Sequence, residues 1–160
     1  DVTSMNNFKK KKPKHTKKIN DNIELIKPLI ENNAISTKEI TTLSEISYPL
    51  FSFKYLHDNS YTKCEDAEFM INFLKRLQKL SELGWASIRT SHKHAYGMEK
   101  IPIDQLNAQL TNIPSFITPE IKHLDVFRSS GSNKTFVGFQ ESKIFHIFFI
   151  EAEFGEICKH

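Results

Sequence analysis

The sequence predicts an α+β fold: a helix pair packed on one face of a small, mainly antiparallel twisted sheet, with a helical N-terminal extension. Three observations carry that expectation. Val126 to Glu151 (VFRSSGSNKTFVGFQESKIFHIFFIE) reads as three strands joined by two turns. Phe69, Met70, Phe73, Leu74, Leu77, Leu80 and Leu83 recur at i, i+3, i+4, i+7, the spacing of one helix face. The elements then run strand, helix, helix, four strands in meander, which packs best as helices on an antiparallel sheet.

Taken in order, residues 1–18 hold seven lysines and one aspartate, a charge of +6. The whole chain of 160 residues is at +3, so 19–160 is mildly acidic at −3. Residues 9–18 (KKKKPKHTKK) repel one another and can bury no core, which predicts a disordered basic arm over 1–18. Lys9, Lys10, Lys11 and Lys12 are candidate contacts to nucleic-acid phosphates, with a solubilising terminus as the favoured alternative. Residues 19–160 are expected to form one domain. Asn20 or Asp21 can cap a helix to about Asn33, shortened or kinked by Pro28. Ser36-Thr37-Lys38-Glu39 is a capping box before Ile40, Leu43 and Ile46. Two short helices over 19–49 keep a helix-turn-helix regulator open as a reading, although no recognition helix follows Tyr48-Pro49.

Leu50 to Leu56 alternates apolar and polar residues and predicts a strand burying Phe51, Phe53 and Tyr55. Thr62-x-x-Glu65 is a second capping box, opening the main helix, which Gly84 ends. Trp85 to Thr90 predicts a shorter second helix with Trp85 and Ile88 inward, and Ser91 to Ile101 an extended return closed by Pro102. Residues 103–119, with Pro114 and Pro119, predict a mobile excursion with one helical turn at Asp104 to Leu110. In the sheet, Leu124, Val126 and Arg128 share one face, and His123, Asp125 and Phe127 the other. Ile144 to Ile150 is apolar almost throughout, as in a strand buried on both faces. Ala152 to His160 is expected to be a last strand or a frayed end.

Cys64 and Cys158 form no CxxC or disulfide framework, no apolar run reaches membrane-spanning length, and no secretory apolar core opens the chain. These features suggest a cytoplasmic setting with no membrane partner. Asp1 to Ser4, ahead of Met5, suggest a vector remnant.

Candidate chemistry concentrates in two places. Arg128 stands on an otherwise apolar strand face, so its charge needs either a phosphate ligand or an acid such as Glu99. His92, Lys93 and His94, with Arg89 and Tyr96, form the most basic and titratable patch outside the arm. It suits acid/base work and phosphate binding, or else a solvated connection. His92-x-His94 lacks a second ligand cluster, so no metal site and no cofactor is expected. His146, among apolar neighbours, reads as a hydrogen-bonded core histidine.

The order of elements over residues 50–157 resembles the RelE/HigB/ParE-like superfamily of bacterial toxins. The local pattern is a helix pair, a return strand with His94, Gly97 and Glu99, a strand carrying Phe127-Arg128, the Gly-containing strand Phe136-Val137-Gly138-Phe139, and an apolar strand ending at Glu151. His160 matches the family's final catalytic Tyr or His only loosely, and the acidic body departs from the basic surface of ribosome-dependent members. The resemblance implies metal-independent RNA cleavage by 2′-hydroxyl attack, with Arg128, His94, His92 and Glu99 as catalytic candidates. Lys93, Arg89 and Tyr96 join the arm as nucleic-acid contacts. It also implies an antitoxin partner and RNA or the ribosome as target. A non-catalytic module of the same fold, binding protein or nucleic acid, is the alternative.

Overall fold

A computed structural model describes residues 36, 38, 42, 45–61, 65–108, 110, 114–130 and 133–159. The chain divides at Ile46/Ser47 into two units, and the fold below is that of Ser47–His160. In the first unit Lys38, Thr42 and Glu45 are helical, and Thr42 Oγ1 donates to Lys38 O at 2.9 Å. The basic arm, the helix from residue 20 and most of the second capping region lie outside the described residues, as do Thr62, Cys64, Gly131 and His160.

The main helix, α1, spans Ala67–Thr90. Its described cap is Asp66, whose carboxylate accepts the Phe69 amide at 3.0 Å. The expected boundary at Gly84 is real but is not a loop between two helices. Gly84 has φ 73° and ψ 165°, so the one helical stretch changes direction there. Only glycine adopts that conformation readily, and an added Cβ would also stand 3.2 Å from Ser47 O. The new direction turns Trp85 and Ile88 inward, with 5% and 0% exposure. Leu74, assigned to the buried stripe by spacing, is instead exposed.

Five strands form a mixed sheet: β1 (Leu50–Ser52), β2 (Glu99–Pro102), β3 (His123–Arg128), β4 (Thr135–Glu141) and β5 (Ile144–Ile150). Their order is β1-β5-β4-β3-β2, with β1 parallel to β5 and every other pair antiparallel. The meander β2 to β5 and the expected faces of β3 are therefore found. The α+β class holds, with one helical element in α1 and a sheet whose edge strand β1 makes it mixed.

Two cores result, one on each face. Phe69, Phe73, Leu77, Leu80, Trp85 and Ile88 of α1 pack against Phe127, Phe136, Phe145, Ile147 and Ile150. Phe136 meets Phe127, Phe73 and Phe145 at ring distances of 5.2, 5.3 and 5.8 Å. The second core joins Leu124, Val126, Val137, Phe148 and Phe149 to Ile157 and Cys158. Strict alternation would divide Phe148 from Phe149. A bulge removes that constraint: Val137 pairs with Phe149 and Gly138 with Ile147, so Phe148 is extra and both rings reach the second core.

Four expectations need correction. The strand at Leu50 stops at Ser52, because the chain turns at Phe53 to Leu56 (Leu56 N donates to Phe53 O, 3.0 Å), leaving Phe53 45% exposed. The return strand begins only at Glu99; residues 92–96 form a turn in which Ala95 N and Gly97 N both donate to His92 O. His94 and Gly97 are therefore not on that strand. The segment 103–119 is no free excursion: after a 3-10 turn at Ile103–Gln105, Leu106, Leu110, Phe116 and Ile117 cover the second face. The C-terminal segment is neither frayed nor a full strand, since Cys158 makes a single bridge to Leu106 and Ile157 is fully buried.

What ties that C-terminal segment down is Glu151, fully buried at the end of β5. Its Oε2 accepts from Thr135 N (3.0 Å) and Thr135 Oγ1 (3.1 Å). Its Oε1 accepts from Gly155 N (2.9 Å), Ile157 N (3.3 Å) and Cys158 N (3.4 Å). A buried carboxylate is tolerable only with such a shell of donors.

Candidate functional site

The site grows from the register of β2 and β3. Glu99 pairs with Val126, so Arg128 is its diagonal neighbour on the same face, within reach of a long side chain. The Arg128 Nη2 to Glu99 Oε1 distance is 3.4 Å, and Nη1 donates to Asn133 O at 2.8 Å. The Nε of Arg128 is buried and meets no acceptor among the described residues. Glu99 is shared, because its Oε2 also lies 3.1 Å from Lys93 Nζ. One carboxylate thus holds two cations. Both partners keep partial solvent contact, so this pairing supplies little net stability.

These groups line a cavity of about 280 Å³ on the second face of the sheet. Lys93, Arg128 and Lys159 bring three cations to it and Glu99 a carboxylate; Lys100 lines it too, but its side chain alternates to the face of Asp125. Lys100 reaches the buried Asp125 at 2.7 Å, and Lys159 Nζ donates to Asp104 O at 3.2 Å. Thr135, opposite Arg128 in register, and Cys158 form part of the wall, held there by Glu151. Burial pushes the Cys158 thiol pKa up, partly offset by its contact with Thr135. The cavity is a cationic recess around an arginine and suits an anion such as a phosphate. Another cavity, of about 580 Å³ between Ile103, Leu106, Leu110, Ile117 and Ile121, is lined by no titratable side chain and offers no comparable chemistry.

The other expected site residues divide. The turn 92–96 exists because Gly97 lets the chain close: an added Cβ there would stand 2.2 Å from Ser91 O. His92 and His94 are exposed on this turn with rings 5.2 Å apart, and neither lines the cavity with Arg128. Lys93, between them, does. Tyr96 faces the other way, under the guanidinium of Arg76, 4.4 Å from its ring centre. Arg89 lies over Trp85 at 5.9 Å, away from the cavity. Lys9 to Lys12 lie outside the described residues. The structure therefore joins Arg128, Glu99 and Lys93 and leaves His92, His94, Arg89 and Tyr96 outside their cavity. His146 is 8% exposed, with Nε2 3.3 Å from Glu141 Oε2 and its ring against Phe116 and Tyr55. It is a core residue with one polar partner.

Sequence reasoning missed Lys100, Lys159, Thr135 and Cys158. Alternation along the strand turns the Lys100 side chain away from Glu99, and its ammonium meets Asp125 instead. The other three depend on register and on the C-terminal segment folding back, which no local signal encodes. Among the described residues no group of three or more His, Cys, Asp or Glu side chains could hold a metal ion, and no helix is long and apolar enough to cross a membrane. Comparison with family models, with curated proteins and with solved structures finds no match.

Proposed function

We propose that this chain is a toxin-like endoribonuclease of the RelE-like kind that grips an RNA phosphate in the cavity around Arg128. The observation that carries the reading is the Arg128–Glu99 pair, a guanidinium touching a carboxylate inside a cavity that Lys93 and Lys159 also line. An entering phosphate competes with Glu99 for Arg128. The displaced carboxylate is then free to take the proton of the 2′-hydroxyl, whose oxygen attacks phosphorus. Arg128 and Lys93 stabilise the added charge on the phosphoryl oxygens. The bond to the 5′-oxygen breaks, and an imidazolium from the exposed His92–His94 turn supplies its proton. The products are a 2′,3′-cyclic phosphate and a 5′-hydroxyl. In this reading a neutralising antitoxin, as the resemblance implies, keeps the activity in check in the cell.

A second reading has its own support. Glu99 is engaged by two cations and both imidazoles lie outside the cavity, as expected of a module that binds RNA or a protein without cutting. The test is incubation of a mixed-sequence single-stranded RNA with the purified chain in excess chelator, followed by end-group analysis. Cyclic-phosphate ends that vanish in Glu99→Gln and Arg128→Gln are the expected result. Binding without cleavage selects the second reading with RNA as its ligand, and neither binding nor cleavage overturns the nuclease and leaves only a protein-binding module.

A further inference from the structure

The turn 92–96 has a cavity on each side. Lys93 lines the Arg128 cavity, while Tyr96 lines a separate cleft of about 400 Å³ with Asn72, Lys75, Arg76 and Ser130. The two are tied together covalently and by hydrogen bonds. Ser130 is two residues beyond Arg128, so their Cα atoms are at most about 7 Å apart, close to the spacing of adjacent nucleotides in an extended strand. Arg76 Nε donates to Arg128 O at 2.9 Å, and Arg76 Nη2 donates to Ala95 O. One guanidinium thus fastens α1 to both the end of β3 and the turn.

That fastening gives the cleft its chemistry. Arg76 is held by two backbone carbonyls and stacked on Tyr96, so its plane is fixed rather than free. Partial burial lowers its pKa, an effect Tyr96 partly offsets, and an arginine remains charged regardless. A fixed guanidinium plane is a platform for a nucleobase. Asn72 offers both a donor and an acceptor, which can read a base edge, and Lys75 offers a second cation for a flanking phosphate. Asn72 is half-buried and Lys75 exposed, so neither supports the core.

We infer that the cleft of Asn72, Lys75, Arg76, Tyr96 and Ser130 is a nucleoside subsite for single-stranded RNA, taking the nucleotide next to the phosphate at Arg128. This rests on the proposed function. The strand then passes over the turn, which brings His92 and His94 beside the backbone between the two sites and accounts for exposed imidazoles that miss the Arg128 cavity.

The test is equilibrium binding, by fluorescence anisotropy, of a labelled twelve-nucleotide single-stranded RNA and of inorganic pyrophosphate as its competitor. The variants are Asn72→Ala/Lys75→Ala and Arg128→Gln. The double variant weakens RNA binding about tenfold or more, corresponding to a loss of about 1.4 kcal/mol. It leaves the concentration of pyrophosphate needed to compete within about twofold of wild type, because that probe needs only the Arg128 cavity. Arg128→Gln weakens both. If the double variant binds RNA like wild type while Arg128→Gln does not, the subsite is wrong and the phosphate site stands. If wild type binds no RNA, the proposed function falls and the subsite with it. Circular dichroism of the double variant matching wild type excludes misfolding as the cause of a loss.

Discussion

Replacing Glu151 by glutamine changes a few atoms and should unfasten the C-terminal wall of the cavity. The carboxylate accepts five hydrogen bonds, two at Oε2 from Thr135 and three at Oε1 from Gly155, Ile157 and Cys158. In glutamine one oxygen becomes an NH2 group, which must face either the two Thr135 donors or the three amides beyond β5. At least one backbone N–H then loses its acceptor in a buried setting, and the remaining bonds lose their charge assistance. A hydrogen bond to a charged group contributes about 1.5–3 kcal/mol, and a buried orphan costs about 1–3 kcal/mol. The two together give about 2.5–6 kcal/mol. The loss is capped by release of residues 152–159, which gives up the burial of Ile157, itself about 1.5–3 kcal/mol. Both routes remove a large part of the about 5–15 kcal/mol that stabilises a typical domain. Urea unfolding measures the total. Thiol labelling of Cys158, 2% exposed, reports local release in a Cys64→Ser background. The expected result is a lower urea midpoint with rapid labelling of Cys158 in Glu151→Gln and slow labelling in the parent. A midpoint shift worth less than about 0.5 kcal/mol, the range of ordinary surface substitutions, with Cys158 still protected, would refute the clamp.

Two further outcomes follow from the core and its titration. Phe136→Ala removes a fully buried ring that contacts Phe73, Phe127 and Phe145, and should cost about 3–5 kcal/mol in urea or thermal unfolding. Burial raises the Cys158 pKa, so the folded chain keeps the thiol proton where the unfolded chain releases it. Stability from this group is complete below the unfolded value near pH 8.5 and is lost as pH rises through the folded one. Cys158→Ala should therefore flatten the alkaline fall of the unfolding free energy above about pH 8.5, measured as urea midpoints against pH.

The difference between what the residues announce and what the fold adds has physical causes. The apolar run ending at Ile150 and the strands around Phe136 and Phe127 were readable because apolar strand residues flanked by turn residues pack into a sheet's core. The 3.6-residue stripe from Phe69 to Leu80 was readable for the same reason, and Gly84 marked the change of direction. Leu74 misled because spacing defines a stripe without its edges. The Arg128–Glu99 contact was one of two expected outcomes, since a charge on an apolar strand face needs either an acid or a phosphate ligand. The presence of Lys159 and Cys158 beside it was not expected, because the return of the C-terminal segment is decided by long-range packing. Phe148 and Phe149 sit on one side only through a bulge that local alternation cannot encode. The histidines were grouped with Arg128 on the assumption that Ser91 to Ile101 is extended. Gly97 and the hydrogen bonds to His92 O close a turn instead, and the imidazoles leave the face that Glu99 occupies.

The account stands or falls on Arg128 as a phosphate ligand, and salt dependence tests that most directly. Binding of a single-stranded RNA by wild type and Arg128→Gln is measured across a salt series. Wild type should show log affinity falling linearly with log salt. Loss of one phosphate contact should make the slope shallower by about 0.7, the value for one phosphate of a single strand. Affinity should also drop at every salt concentration. Equal slopes and equal affinities for the two proteins would contradict a phosphate site at Arg128 and leave its pairing with Glu99 a purely structural one.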